Sequence, residues 1–163
     1  MCFKNKVKKI VSLFLSPSHL RLIIGYLCPS SPPVVCVWRR RLSRSPHFEF
    51  AAALCGLRGA VSALCVSQCF SLIAAGAKDG TVVVWDLHRL VCVRRLDCFG
   101  AQPVVALAFD AASGDLHVAT SHAAHVFDVN LRRVLSQPLT GGDPRASGMR
   151  VADLAHRDEC VGN

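Results

Sequence analysis

The chain has 163 residues, 52% hydrophobic and 18% charged, with 8 Pro and 11 Gly, a composition too apolar for a disordered or low-complexity chain and sized for one ordinary domain. Its formal charge of +8 is concentrated at the start: residues 1–45 hold nine basic groups and no acid, whereas residues 46–163 hold ten basic and eleven acidic groups. That division excludes a broadly basic, nucleic-acid-binding surface on the folded part, and aromatics at only 7% leave the core to Val, Leu, Ala and Cys.

In chain order, the opening MCFKNKVKK and the apolar IVSLFLS have the charge-then-apolar order of a secretory signal, but the run stops at Pro17 and His19. A second apolar run, Leu20 to Cys28, carries Arg21 and Gly25. Together the two runs are long enough to cross a bilayer, yet Pro17, Ser18, His19 and Arg21 would stand mid-span, where polar backbone and charge are costly. Residues 1–45 therefore read as an irregular or helical extension, with peripheral membrane contact through its lysines as the alternative role. Pro29, Pro32 and Pro33 mark a break, and the RRRLSRS run at 39–45 reads as a solvated loop rather than a kinase or phosphate site.

From residue 46 the pattern changes to short apolar strands between turn signals. Strands are predicted over Val61–Val66, Leu72–Ala75, Thr81–Trp85 and Val91–Leu96. Asp79-Gly80 opens the third, a pair suited to a tight hairpin because both positions tolerate positive φ. The order then recurs. Val104–Phe109 matches Val61–Val66 at an offset of 43, Leu116–Thr120 matches Leu72–Gly76 at 44, and Val126 to Val129 matches Val84 to Leu87 at 42. On this alignment the Ala111–Asp115 turn is one residue longer than its counterpart and the hairpin at 121–124 is shorter. Upstream, the run ending in Trp38 resembles the run ending in Trp85, 47 residues away, as a third copy without the D-G turn. After Leu135 a Pro- and Gly-rich loop leads to Met149–Leu154, which reads as the start of a further strand.

A period near 43 residues with four strands per unit and Trp-Asp ending the third strand is the signature of propeller blades. LIAAGAKDGTVVVWDL at 72–87 resembles the WD-repeat family, with Phe127-Asp128 standing for Trp85-Asp86 in the second copy. DGTVVVWDLHRLVCVRRL at 79–96, then Pro103-Val104 and Ser113-Gly114-Asp115, is most similar to the C-terminal WD repeats of BEACH-domain proteins. The resemblance implies an all-β, partial WD-repeat β-propeller of two to three four-stranded antiparallel blades following the N-terminal extension. It makes residues 46–137 the blades and residues 138–163 a loop and the start of a truncated blade. Its structural motif residues are Asp79, Gly80, Trp85, Asp86, Phe127 and Asp128.

By that resemblance the chain is a non-catalytic protein-interaction scaffold in vesicle or membrane trafficking, cytoplasmic or peripheral to membranes. Protein partners are expected; nucleic acid, cofactor and metal are not. Two blades fall short of the four or so that close a ring, so the chain is expected to self-associate. The Gly-His pair usual before the inner strand is missing, and Ala75 stands where serine is common, so the polar network joining Asp79 to Trp85 is expected to be incomplete. The main competing chemistry is weak. His117, His122 and His125, with Asp115 or Cys98, form the densest potential zinc set, but their spacing reads as strand and turn positions. The nine cysteines contain no C-x-x-C and mostly lie in apolar runs, so most are expected as small buried hydrophobes, Cys65 and Cys69 included. Asp86 and Asp128 recur because of the repeat, not because a catalytic site gathers them.

Overall fold

The computed structural model describes residues 9–16, 21–27, 33–41, 47–97 and 99–139, with side chains at 33–39, 47–97 and 99–139. They form three antiparallel sheets, each built from four strands consecutive in sequence. The first contains β1 (Lys9–Ser16), β2 (Arg21–Leu27), β3 (Val34–Arg41) and β4 (His47–Leu54). The second contains β5 (Val61–Ser67), β6 (Leu72–Ala77), β7 (Val82–Asp86) and β8 (Cys92–Leu96). The third contains β9 (Val104–Phe109), β10 (Leu116–Thr120), β11 (Ala123–Phe127) and β12 (Arg133–Pro138). The leading strands lie together, β5 against both β1 and β9, as the inner strands of successive propeller blades do.

Within residues 1–45, which the sequence reads as an irregular or helical extension, the described segments 9–16, 21–27 and 34–41 are strands. The apolar runs pair with one another and with β3, and the two strands β3 and β4 lie either side of position 46 within one sheet. The basic run beyond Arg41, the predicted strand at 149–154, and Cys2, Cys28, Cys98 and Cys160 lie outside the described residues.

Burial explains the middle sheet's composition. Its Val82-Val83-Val84-Trp85 run is apolar without alternation because both faces are covered. Val83 and Trp85 join Val35, Val37, Leu54, Ile73 and Ala75 in one core against the first sheet. Val82 and Val84 join Ala74, Leu96, Val104, Leu116 and Phe127 in a second core against the third.

Strand pairing also fixes the phase of the repeat. Ile73 stands opposite Trp85, and Leu116 stands opposite Phe127. Leu116 is therefore the counterpart of Ile73 at an offset of 43, not of Leu72 at 44, and a slip of one residue would have turned each side chain to the wrong face. Val66 pairs Ile73 and Phe109 pairs Leu116, so the two intervening turns have equal length. The copies differ in the next hairpin, and again in the last turn, where Trp85 pairs Cys92 but Phe127 pairs Arg133. Residues 78–80 form a three-residue loop in the second sheet, closed by Gly80 N–H to Ala77 O (3.1 Å) and Ala77 N–H to Thr81 O (2.9 Å). Only Gly80 has positive φ, +83°, so this is a type I turn followed by a left-handed glycine, and the expected two-residue hairpin is replaced by the wider form. Asp79 keeps the usual backbone and accepts the Thr81 N–H at 3.1 Å. In the third sheet residues 121 and 122 alone make the turn, and Thr120 Oγ1 accepts the Ala123 N–H at 3.1 Å.

Candidate interaction surfaces

The motif residues divide between packing and turn closure. Trp85 and Phe127 are buried on the faces of their sheets that meet the preceding sheet, and Trp85 Nε1 donates to Cys55 O at 3.3 Å across that seam. This bond satisfies the buried indole N–H without a histidine. Gly59 approaches Asp79 so closely that a Cβ there would lie 2.7 Å from Asp79 Cγ. Asp86 Oδ1 accepts the N–H groups of His88 (2.7 Å) and Arg89 (2.6 Å), while Asp128 Oδ1 accepts that of Arg132 (2.7 Å). The repeat-equivalent acids thus close equivalent turns, and the Arg89 N–H above all holds the Asp86 carboxyl below the usual carboxylate range. Asp110 is lowered likewise by the N–H groups of Ser113 and Ala112.

Two seam residues escaped sequence reading. Ser62, on β5, donates from Oγ to Val104 O at 2.6 Å. Gly76 faces the same valine, whose side chain occupies the place a Cβ would take. Nothing in a single copy of the repeat distinguishes either position; only the register against β9 does. Leu90 and Leu131, at φ of 58° and 59°, end the two β-turns in left-handed backbone, a conformation uncommon for leucine and offset by packing in the two cores.

Three histidines do not converge. His125 is buried toward the second sheet, its ring 4.8 Å from that of Phe99 and its Nδ1 2.9 Å from Ser136 Oγ. His117 lies on the opposite face of the third sheet, and His122 is exposed in the turn. Burial, aided by the Arg133 charge, lowers the His125 pKa. Among the described thiols, Cys36 is buried and Cys65 packs against the second core, where burial pushes its pKa well up. Cys55, Cys69 and Cys92, three of the five described thiols, are exposed. They occupy a linker, a turn and the outermost strand of a sheet, where apolar neighbours do not imply a covered face.

Two surfaces present themselves. The first is the outward face of the third sheet, a shallow apolar groove formed by Ala106, Ala108, Ala119, Ala124, Val126 and Leu135. By strand register, Ala106 corresponds to Ala63, Ala119 to Gly76, Ala124 to Val82 and Val126 to Val84. Those counterparts are covered by the next sheet; among the described residues nothing covers this face. The second is a groove of about 390 Å³ between the outer strands β8 and β12, lined by Arg94, Arg95, Asp97, Arg132 and Arg133 around Leu96, Phe127 and Leu131.

No protein-family model matches the chain. Against curated proteins, it is 36% identical over 102 residues to Protein SPIRRIG of Arabidopsis thaliana, a match covering 60% of this chain. It is 32% identical over 123 residues to the human WD repeat- and FYVE domain-containing protein 4, covering 69% of this chain. BEACH domain-containing protein A2 of Arabidopsis thaliana is 33% identical over 102 residues, covering 60% of this chain. The matched stretches make up 3% of SPIRRIG, 4% of the human protein and 3% of A2. With the repeat's Trp-Asp ending, its blade-like sheets and these likenesses together, the chain is a relative of the BEACH-domain, WD-repeat proteins, corresponding to a short stretch of them.

Proposed function

We propose that the chain is a non-catalytic protein-interaction scaffold of WD-repeat blades that works in vesicle or membrane trafficking, in the cytoplasm or peripheral to membranes. The observation that carries this reading is the open face of the third sheet: an apolar surface whose counterpart in the second sheet is buried by a neighbour. An apolar face flanked by open strand edges favours association with another polypeptide. The motif carboxylates Asp86 and Asp128 support the same reading, since their oxygens serve turn N–H groups. The name of one relative supports the trafficking part: the human Lysosomal-trafficking regulator, 26% identical over 76% of this chain.

Size-exclusion chromatography with light scattering tests the scaffold reading. Self-association is expected for the purified chain, with Val126→Asp shifting it toward monomer. A monodisperse, cooperatively melting monomer would overturn the interaction surface. A fluorescent fusion of the whole chain is expected to concentrate peripherally on vesicle-bearing membranes, and uniformly diffuse signal would remove the trafficking role while leaving the scaffold.

A further inference from the structure

We infer that the groove between β8 and β12 holds an acidic peptide segment of a protein partner, a proposal that rests on the scaffold reading and assigns it a second, polar contact. Four arginines, Arg94, Arg95, Arg132 and Arg133, line this groove with a single carboxylate, Asp97. Asp97 Oδ1 already accepts the Arg95 Nε–H at 3.0 Å, which leaves the other guanidinium groups of the groove without an acid on its walls.

The repeat does not account for these residues. Val84 pairs Arg94 while its counterpart Val126 pairs Leu135, and Trp85 pairs Cys92 while Phe127 pairs Arg133. Arg94 and Arg133 therefore occupy different register positions on the two outer strands and line one groove only because adjacent sheets bring them there. Nothing about blade construction requires a cation at either place. The groove is also held in shape. Arg94 Nη1 donates to Asn130 O at 3.4 Å across the seam, and the floor of Leu96, Phe127 and Leu131 belongs to the second core.

Charge distribution selects the occupant. Residues 46–163, which supply the groove, carry one more acid than base, so its arginines are a local cluster, distinct along the chain from the nine basic groups of residues 1–45. Guanidinium groups favour carboxylates, which they meet through paired N–H donors. The open groove between β8 and the start of β12 leaves room for a peptide segment carrying several carboxylates.

The test is fluorescence anisotropy of fluorescein-labelled octaglutamate with the full chain. Binding that weakens with salt is expected, and Arg94→Gln with Arg133→Gln should weaken it about tenfold, while Lys4→Gln, Lys6→Gln and Lys8→Gln together leave it within about twofold. A thermal melt of the arginine variant unchanged from the parent establishes that the fold is intact; should that melt fall, Arg132→Gln, at an exposed position, takes its place in the same comparison. Absence of octaglutamate binding, or binding abolished by the lysine changes and indifferent to the arginines, overturns the proposal. So does arginine-dependent binding to phosphatidylcholine–phosphatidylserine vesicles without octaglutamate binding, which assigns the groove to a membrane. Because Val126→Asp lies on the other face, its effect on self-association reports the open apolar surface separately, so failure of the groove and failure of the scaffold are distinguishable.

Discussion

Gly76 and Ser62 show how single atoms set the spacing between the second and third sheets. A methyl group at Gly76 would fall on the Val104 side chain, so Gly76→Ala is expected to cost about 1–3 kcal/mol by overpacking, measured in urea. Val104→Ala in the same chain should recover part of that loss although it destabilises alone, a coupling that a double-mutant cycle reads directly. Ser62→Ala removes the hydrogen bond to Val104 O and is expected to cost about 1 kcal/mol. Acid should act through other residues. Burial lowers the folded-state pKa of His125, so the unfolded chain binds the proton more readily. The stability associated with neutral His125 is then complete above about pH 6.5 and declines as pH falls toward the folded value. Asp86 and Asp110, also lowered on folding, add a second loss below about pH 4 as they protonate. Thermal melts across pH 8 to 3 should show both declines, and His125→Gln should remove only the upper one.

At the scale of elements, turn closure distinguishes the two copies of the repeat. Asp86 accepts two backbone N–H groups and Asp128 one, so Asp86→Ala should destabilise more than Asp128→Ala, each by about 0.5–2 kcal/mol, as equilibrium unfolding would measure. Much of this architecture was legible in residue order. The predicted strands Val104–Phe109 and Leu116–Thr120 match β9 and β10 residue for residue because turn signals bound them on both sides. Phase was harder to read: Leu72 and Ile73 are both apolar, so either could be set against Leu116, and only the pairing with Trp85 chooses Ile73. β1 and β2 were illegible for a related reason. KIVSLFLS and RLIIGYL are mostly apolar runs without strict alternation, which suit a strand, a helix or a membrane segment, and strand pairing decides among them. The arginine groove was missed because net charge was summed along the chain, whereas its members meet only after two sheets pack.

For the whole molecule, the second sheet is the structural keystone among the described residues, with a core on each side. Hydrogen exchange should therefore be slowest in β6 and β7, whose side chains from Ile73 to Ala77 and Val82 to Trp85 are buried throughout, and faster in β12, which is exposed along its length. Uniform protection over all three sheets would contradict that ranking. Thiol labelling offers a parallel check: Cys55 and Cys92 should react in the native chain, and Cys65 only after unfolding.

The glycine at position 76 carries a corollary for whatever lies on the third sheet. Its counterpart there is Ala119, which already bears the methyl group for which the valine of β9 leaves no space. A duplicate of the third leaf could not be stacked on the original at the same separation, since its own Val104 would strike Ala119. A chimera made by repeating residues 104–139 in tandem would need a glycine, alanine or serine at the incoming valine, and blade order in this protein is to that extent written into one methyl group.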